Sequence, residues 1–579
     1  MPNVLAMSFE GALAPAFDLA CLEPGGRLPD GWGLGYYHGA EPSASVLKEP
    51  NPQQGSIRSQ LVRAWDHLAS PLFLLHLRTA TWGNLTDANT QPFKRSFGRR
   101  DWLFAHSGSL ESRLEPTGPQ RFEPVGSTDT EVLFCELLGR IAGKGVRTIG
   151  ELDLGLLRDW MAEFNQYGNV TSVLTDGHDL AVYADKDAKG PVYLWAVVPP
   201  YEQVAFGDED LMVDLTRRGA AGQRGVVVSS SPLEARGSLP VEWTMLPPGT
   251  LVVIRQGAVR ALINPDSQAQ APTSPAFHVR ARQKLPERAE PKVLDVIHRT
   301  VYRYEKAVER STHLLKLTPA HDHVQRLISH GIELSVEGRS RDFDDVFGSR
   351  ARRVLIDRPY TELSIVARSR VETLDVDPLS FRPIHASTQI PLVWMPWQRH
   401  MLQPYLLPPE LPETELRELT DYAMGFVKRN DYDLLDTLLD INATLFGEYR
   451  YQQGVTDVFT SAYDVYVNRR GVCQDFTNLF ICLSRLLGVP SRYVCGYLYT
   501  GPKHPNQRMA EASHAWVQVY LPEVGWRGFD PTNGVLTQTD HVRVAIGRNY
   551  VDATPTSGTL YVGGGDERLE VEVRVERLV

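Results

Sequence analysis

The chain has 579 residues, 42% of them hydrophobic and 22% charged, with a formal net charge of −10. That length predicts about three or four domains, and the composition excludes a disordered chain. The acidic balance argues against a nucleic-acid partner held through a broad basic surface, and no apolar run approaches the roughly 18 residues of a membrane-crossing helix.

The chain opens with MPNVLAMSFEGALAPAF, where no basic residue precedes the apolar stretch and Glu10 interrupts it, so no signal peptide is expected. From Met1 to about Pro265, short β-like runs alternate with Gly and Pro turns. FLLHLRTA (73–80) and WLFAHSGSL (102–110) predict buried strands. TSVLTDGHDLAVYAD and GTLVVIRQGAVRALI predict hairpins that turn at Asp-Gly and Gln-Gly. TDTEVLFCELLGRIAGKG carries apolar residues at helical spacing and ends in glycine, which predicts an amphipathic helix with Cys135 in its core face.

DSQAQAPTSP (266–275) has few large apolar residues and reads as a linker. Residues 290–378 read as strands: in ELSIVARSRVETL, Leu363, Ile365 and Ala367 share one face and Ser364 and Arg368 the other. A passage rich in proline, Pro391 to Pro412, marks a second boundary. From about 413 the spacing turns helical, then gives strands such as RYVCGYLYTG and HAWVQVYLPEVGW. The tail LEVEVRVERLV alternates Leu569, Val571, Val573 and Val575 with charged residues, which predicts an edge strand.

Five cysteines (Cys21, Cys135, Cys473, Cys482, Cys495) are odd in number and never spaced Cys-x-x-Cys. Neither a disulfide framework nor a structural zinc site is expected, and the chain reads as a reduced, cytoplasmic protein. Cys473 stands where the turn NRRGV meets a helical pattern of Phe476, Leu479, Phe480, Leu483, Leu486 and Leu487. Two readings are open for it. Free cysteines are often small buried hydrophobes. A nucleophile instead needs its pKa lowered from about 8.5, which a helix start favours in part. It also needs an imidazole and an acceptor that orients the imidazole. His514 heads one strand-like run, and Asp530 ends the next, just before a Pro-Thr-Asn-Gly turn. If those runs pair as a hairpin, the two lie side by side, and Cys473, His514 and Asp530 can form a thiol triad. Asp475 reads as a first-turn acid favouring the helix start. Cys482 and Cys495 read as core, His504 as an exposed loop residue, and Trp516 and Trp526 as packing.

GVCQDF, LGVPSRYVCGYL, SHAWVQVYLPEVGW and FDPTNG together resemble the bacterial transglutaminase-like family of thiol enzymes with a papain-like core, over about residues 413–550. VYRYEKAVERSTHLLKLTP and DFDDVFGSRARRVLI resemble the β-rich domain that precedes that core. The resemblance implies Cys473 as nucleophile, His514 as general base and acid, and Asp530 as the orienting residue. An acyl group taken from an amide would pass as a thioester to water or an amine, with the Cys473 backbone N–H as one oxyanion donor.

MPNVLAMSFEG, PDGWGLGYYHG, LHLRTATWG, NTQPF, AHSGSL and GSTDTEV resemble, in order, class II glutamine amidotransferases, which are N-terminal-nucleophile hydrolases. In that family the second residue is a cysteine; here it is Pro2, with no thiol. The family's oxyanion-supporting asparagine-glycine is matched by Ser107-Gly108, which lacks the side-chain amide. Arg78 and Asp129 match the positions that hold the charged ends of glutamine. The resemblance therefore implies a pocket of Pro2, Arg78, Ser107, Gly108 and Asp129 that has lost glutaminase chemistry and binds a glutamine- or glutamyl-like group. Arg78 and Asp129 as fold supports alone is the competing reading.

The expected architecture is α+β and multidomain: an inactive αββα amidotransferase-like sandwich (1–265), a linker (266–289), a β-rich domain (290–385), a proline-rich connector (386–412) and a transglutaminase-like core with C-terminal strands (413–579). The expected partner is a peptide or protein substrate. No nucleic acid, membrane, cofactor or metal is expected, and the oligomeric state is open. The alternative is a non-catalytic scaffold built from two degenerate enzyme domains.

Overall fold

The structure, a computed structural model, describes residues 3–38, 42–64, 68–79, 84–112, 114, 121–217, 222–237, 241–265, 285–381, 388–457, 459–501 and 513–578. Pro2, most of the linker and His504 lie outside these residues. The chain forms two compact units, Met1–Arg280 and Ala281–Val579. Among the described residues, no helix is long and apolar enough to cross a membrane.

In the first unit, two sheets face each other. One has seven strands, with β1 (Val4–Leu13) and β2 (Ser70–Arg78) paired antiparallel inside it; the other has six and includes β3 (Arg100–Ser107). Ala6, Leu72 and Leu74 of the first meet Leu103, Val173, Val182 and Val252 of the second in a shared core. The outer face of the six-stranded sheet is covered by α1 (Asp129–Gly143) and α2 (Leu154–Phe164), whose Phe134, Leu138, Met161 and Phe164 pack on Trp102 and Phe104. The other outer face is closed by a four-stranded sheet and by Val62 of the short helix Ile57–Ala64. The two facing sheets and one helical layer follow the expected sandwich; on the other face a small sheet takes most of the place of the second helical layer. Both hairpins form. At the second, Gln256 and Gly257 have φ of 45° and 71°, a mirror-image turn whose twist matches that of the strands it joins.

The second unit is built on β4 (Lys292–Leu315), a strand of 24 residues running through a seven-stranded sheet. Beside it, β5 (Tyr360–Thr373) buries Leu363, Ile365 and Ala367, as its period of two predicts. Then come α3 (Glu413–Arg429), α4 (Leu434–Glu448), α5 (Ala462–Asn468) and α6 (Cys473–Leu486). They share one core with a five-stranded sheet of β6 (Ser491–Leu498), β7 (His514–Leu521), β8 (Gly525–Asp530), β9 (His541–Gly547) and the short strand Val535–Leu536. That sheet runs in the order 535–536, β8, β7, β6, β9.

The last strand, β10 (Glu567–Leu578), returns to β4, with Leu578 opposite Val293 and Glu567 opposite Tyr304. Although it follows the core in sequence, it belongs to the β-rich sheet. Among the described residues β4 is its one partner strand, so it is an edge. Of its alternating apolar residues only Val573 is fully buried, while Leu569 and Val571 stay exposed because no layer covers that part of the edge. Val573 joins Leu294, Val296 and Val371 of the β-rich sheet to Tyr497, Val542 and Val544 of the core sheet.

Candidate active site

The site begins at the start of α6. Asp475, in the first turn, accepts the Val472 N–H and the Thr456 hydroxyl on one oxygen, both at 2.7 Å. That satisfies one of the backbone donors a helix start leaves orphaned. A Cβ on Gly471 would come within 2.7 Å of the Asp475 side chain, so only glycine fits there. The far end closes as a Schellman motif: Val489 N–H bonds the Ser484 carbonyl and Gly488 N–H that of Arg485, with Gly488 at φ +72°. Phe476, Leu479, Phe480 and Leu483 are buried, and α6 is fixed along its length. Cys473 occupies the first helical position and is half-buried, so its N–H has no acceptor within the helix.

β7 and β8 pair as the expected hairpin. His514 Nε2 lies 2.8 Å from Asp530 Oδ2. The Cys473 side chain lies near enough to act on the His514 charge, and with Nε2 on Asp530, Nδ1 is the ring atom left for the thiol. The structure therefore brings Cys473, His514 and Asp530 together. Two further residues, which motif reading missed, complete the carboxylate shell. Asp530 Oδ1 accepts the backbone N–H groups of Thr532 and Asn533 at 3.0 and 3.2 Å. Oδ2 accepts Asn533 Nδ2 at 2.7 Å and His541 Nε2 at 3.2 Å. Asn533 sits in the Pro-Thr-Asn-Gly turn and was within reach of sequence reasoning. His541 heads a separate strand, and nothing local in the sequence points to it.

Burial alone would push the His514 imidazolium down. The Asp530 charge and hydrogen bond, with the Cys473 contact, overcome this and raise His514 to about 10. Burial would likewise raise Asp530, but His514 and the bonds from His514 and His541 hold it well below the usual carboxylate range. Burial pushes Cys21, Cys482 and Cys495 up to about 12 and raises Cys135. Those four are buried, as expected of core cysteines.

His514, Asp530 and His541 offer three ligand-type atoms within 4.8 Å of one another. Each is already engaged at hydrogen-bond distance, so the cluster's donors fit a carboxylate shell rather than a metal centre. Trp516 is fully buried and packs against both imidazoles, its ring centre 5.9 Å from that of His514 and 5.2 Å from that of His541, which lie 6.4 Å from each other. Gly496, opposite His514 across β6 and β7, makes room for it: a Cβ there would lie 2.5 Å from the Trp516 ring. Trp526 packs against Tyr405, Tyr520 and the Arg492 guanidinium.

In the first unit, Arg78 ends β2 and Asp129 opens α1. A hydrogen-bond relay links their surroundings. Arg78 Nη1 donates to the Asn84 carbonyl, as does Asn89 Nδ2, and Asn89 Oδ1 accepts the Ser127 N–H. Asp129 Oδ2 accepts the Leu110 N–H at 2.8 Å, which ties α1 to the loop after Ser107-Gly108. Gly108 has φ +149°, and a Cβ there would meet the Asn169 carbonyl oxygen at 2.2 Å. Arg78, Ser107, Gly108 and Asp129 thus sit around one corner, while Pro2 lies outside the described residues. Two buried histidines were also missed by sequence. His76 is pushed down to about 3 by burial and then by the His106 and Arg78 charges; His106 bonds Thr130 and the Asn169 carbonyl.

Comparison with known proteins gives three family matches along the chain. Residues 1–278 match glutamine amidotransferases class-II, 294–372 the bacterial transglutaminase-like N-terminal region, and 420–531 the transglutaminase-like superfamily. An uncharacterized protein of Mycobacterium leprae is 30% identical over 286 residues, which is 49% of this chain and 98% of that one. One from Mycobacterium tuberculosis H37Rv is 32% identical over 298 residues, 48% of this chain and 91% of its own. Among solved structures, a predicted glutamine amidotransferase from Pseudomonas aeruginosa PA01 is 26% identical, covering 45% of this chain and 99% of its own with a TM-score of 0.37.

Proposed function

We propose, for a chain that belongs to the transglutaminase-like superfamily behind a class-II glutamine amidotransferase domain, a thiol enzyme acting on peptide or protein amides. The Cys473 sulfur attacks the amide carbonyl, and the Cys473 N–H, free of an intrahelical acceptor, stabilises the oxyanion. His514 gives its proton to the leaving nitrogen as the C–N bond breaks, leaving a thioester on Cys473. Water or an amine then attacks the thioester, passes a proton to His514 and releases the thiolate. Asp530 keeps the imidazole oriented and favours its charged form. The observation that carries this reading is the buried His514–Asp530 pair at 2.8 Å, with a half-buried cysteine at a helix start near enough to act on its charge.

The first unit, in this proposal, recognises a glutamine- or γ-glutamyl-like group through Arg78 and Asp129 and has no glutaminase activity of its own. Pro2 supplies no thiol, and Ser107 supplies no side-chain amide. The cytoplasm suits the chain, because a reducing compartment keeps Cys473 available; among the described residues all five cysteines are free.

The test is alkylation by iodoacetamide near neutral pH with peptide mapping, alongside amine or ammonia release from peptide amides. Cys473 is expected to be modified first, well before Cys482 and Cys495, and the release to vanish in Cys473→Ala. A Cys473→Ala protein that turns over as fast as wild type overturns the proposal.

A further inference from the structure

We propose that His541 is a positioning residue for the thiol chemistry, locking the Asp530 carboxylate in the orientation that serves His514; this rests on the reading of Cys473 as nucleophile. His541 heads β9, the edge strand beyond β6, yet its Nε2 reaches Asp530 Oδ2 across the end of the sheet. Its Nδ1 accepts the Gln538 backbone N–H. Nε2 must then carry the proton, so His541 is the donor to Asp530. Two imidazoles on one oxygen thus have different tasks: His514 gains and loses a proton with the reaction, while His541 keeps its own.

Packing holds this division in place. The Trp516 ring stands edge-on to His541, at 77° between planes, and packs against His514 as well. Among the described residues Trp516 Nε1 has no hydrogen-bond partner, and packing holds the ring. The opposite side of His541 faces a cavity of about 250 Å³ whose charged groups are Asp322, His323, Asp375, Arg492, Arg527 and Arg543. Arg543 is engaged with Asp322 and Arg492 with Gln518. Among the described residues, none of the six bonds His541. Its one charged partner is Asp530.

A carboxylate can rotate about its Cβ–Cγ bond, and with fewer donors holding it, its oxygen is less firmly aimed at His514. With the His541 donor gone, Asp530 would stabilise the His514 imidazolium less, and the Cys473 thiolate would be populated less at low pH.

The test follows iodoacetamide modification of Cys473 from pH 4 to 9 in the full chain, by peptide mapping, in wild type, His541→Phe, His541→Asn and His541→Gln. Phe keeps a ring but loses the donor, Asn is too short to reach, and Gln restores an N–H near Nε2. Loss of one hydrogen bond to a charged group predicts modification about tenfold slower at pH 6, with the midpoint moved up by about one pH unit. Gln is expected to recover most of this. If Phe fails to fold, Asn against Gln makes the same comparison. A purely structural His541 would lower the melting temperature and leave the midpoint in place, and that outcome overturns the inference, as does a Gln variant no better than Asn. A wild-type Cys473 that reacts as an ordinary thiol, unchanged by His514→Ala, overturns the underlying proposal as well. A low-pH thiolate in wild type with an unmoved His541→Phe profile overturns this inference alone.

Discussion

Asp530 accepts five hydrogen bonds and is 0% exposed. A buried carboxylate with that many donors stays ionised, and its charge is the main force holding the His514 proton in place. Asp530→Asn is nearly isosteric but neutral, so it removes the charge and keeps most of the shape. The expected result is roughly a hundredfold slower Cys473 modification at pH 6, the low end of what a positioned acid–base group contributes, with stopped-time peptide mapping as the measurement. Cys473, His514 and Asp530 were legible in the sequence because each lies in a short motif with a local chemical signature. His541 was not legible, because its meeting with Asp530 depends on how the sheet is wound. Asn533 lies between these cases: the turn was recognised, but not that its side chain would face the carboxylate.

Whole elements were legible wherever one periodicity decided them. Buried Leu363, Ile365 and Ala367 mark β5, the run from Phe476 to Leu483 marks α6, and Gln256-Gly257 marks a hairpin whose turn only positive φ values can make. The alternation in β10 identified a strand, but not how little of its apolar face would be covered, since burial depends on which layer lies above. The elements of the site are also tightly fitted. Gly496→Ala would set a methyl 2.5 Å from the Trp516 ring and 2.1 Å from the Val542 carbonyl oxygen, and the second obstacle is backbone. Overpacking of this kind predicts a loss of about 1–3 kcal/mol in urea unfolding. It also predicts slower Cys473 modification, because Trp516 packs against both imidazoles.

Across the whole second unit, the buried His514–Asp530 pair makes stability depend on pH with a definite sign. The His514 pKa is raised in the folded protein, so its contribution is complete below about pH 6.5 and fades as the pH rises toward about 10. The Asp530 pKa is depressed, so its contribution is complete above about pH 4 and fades only in strong acid. Both are therefore complete between about pH 4 and 6.5. Asp530→Ala should cost about 3–5 kcal/mol in that window and clearly less at pH 9.5, as read by urea unfolding at the two pH values. Removal of residues 567–578 is expected to lower the melting temperature of this unit and to promote aggregation, since it uncovers the flank of β4 and takes Val573 out of the seam between the two sheets.

The pairing of β4 with β10 also sets an order in time. Val293 waits for Leu578, and at ordinary rates of translation that interval is on the order of 10–60 s. In its last part, α6 and the strands bearing His514 and Asp530 have already been made, while one flank of a 24-residue strand still lacks its partner. Newly made chains of this protein thus pass through a stage in which the Cys473 thiol is present while a sheet edge is still unpaired. That is the stage at which a ribosome-associated chaperone would matter most.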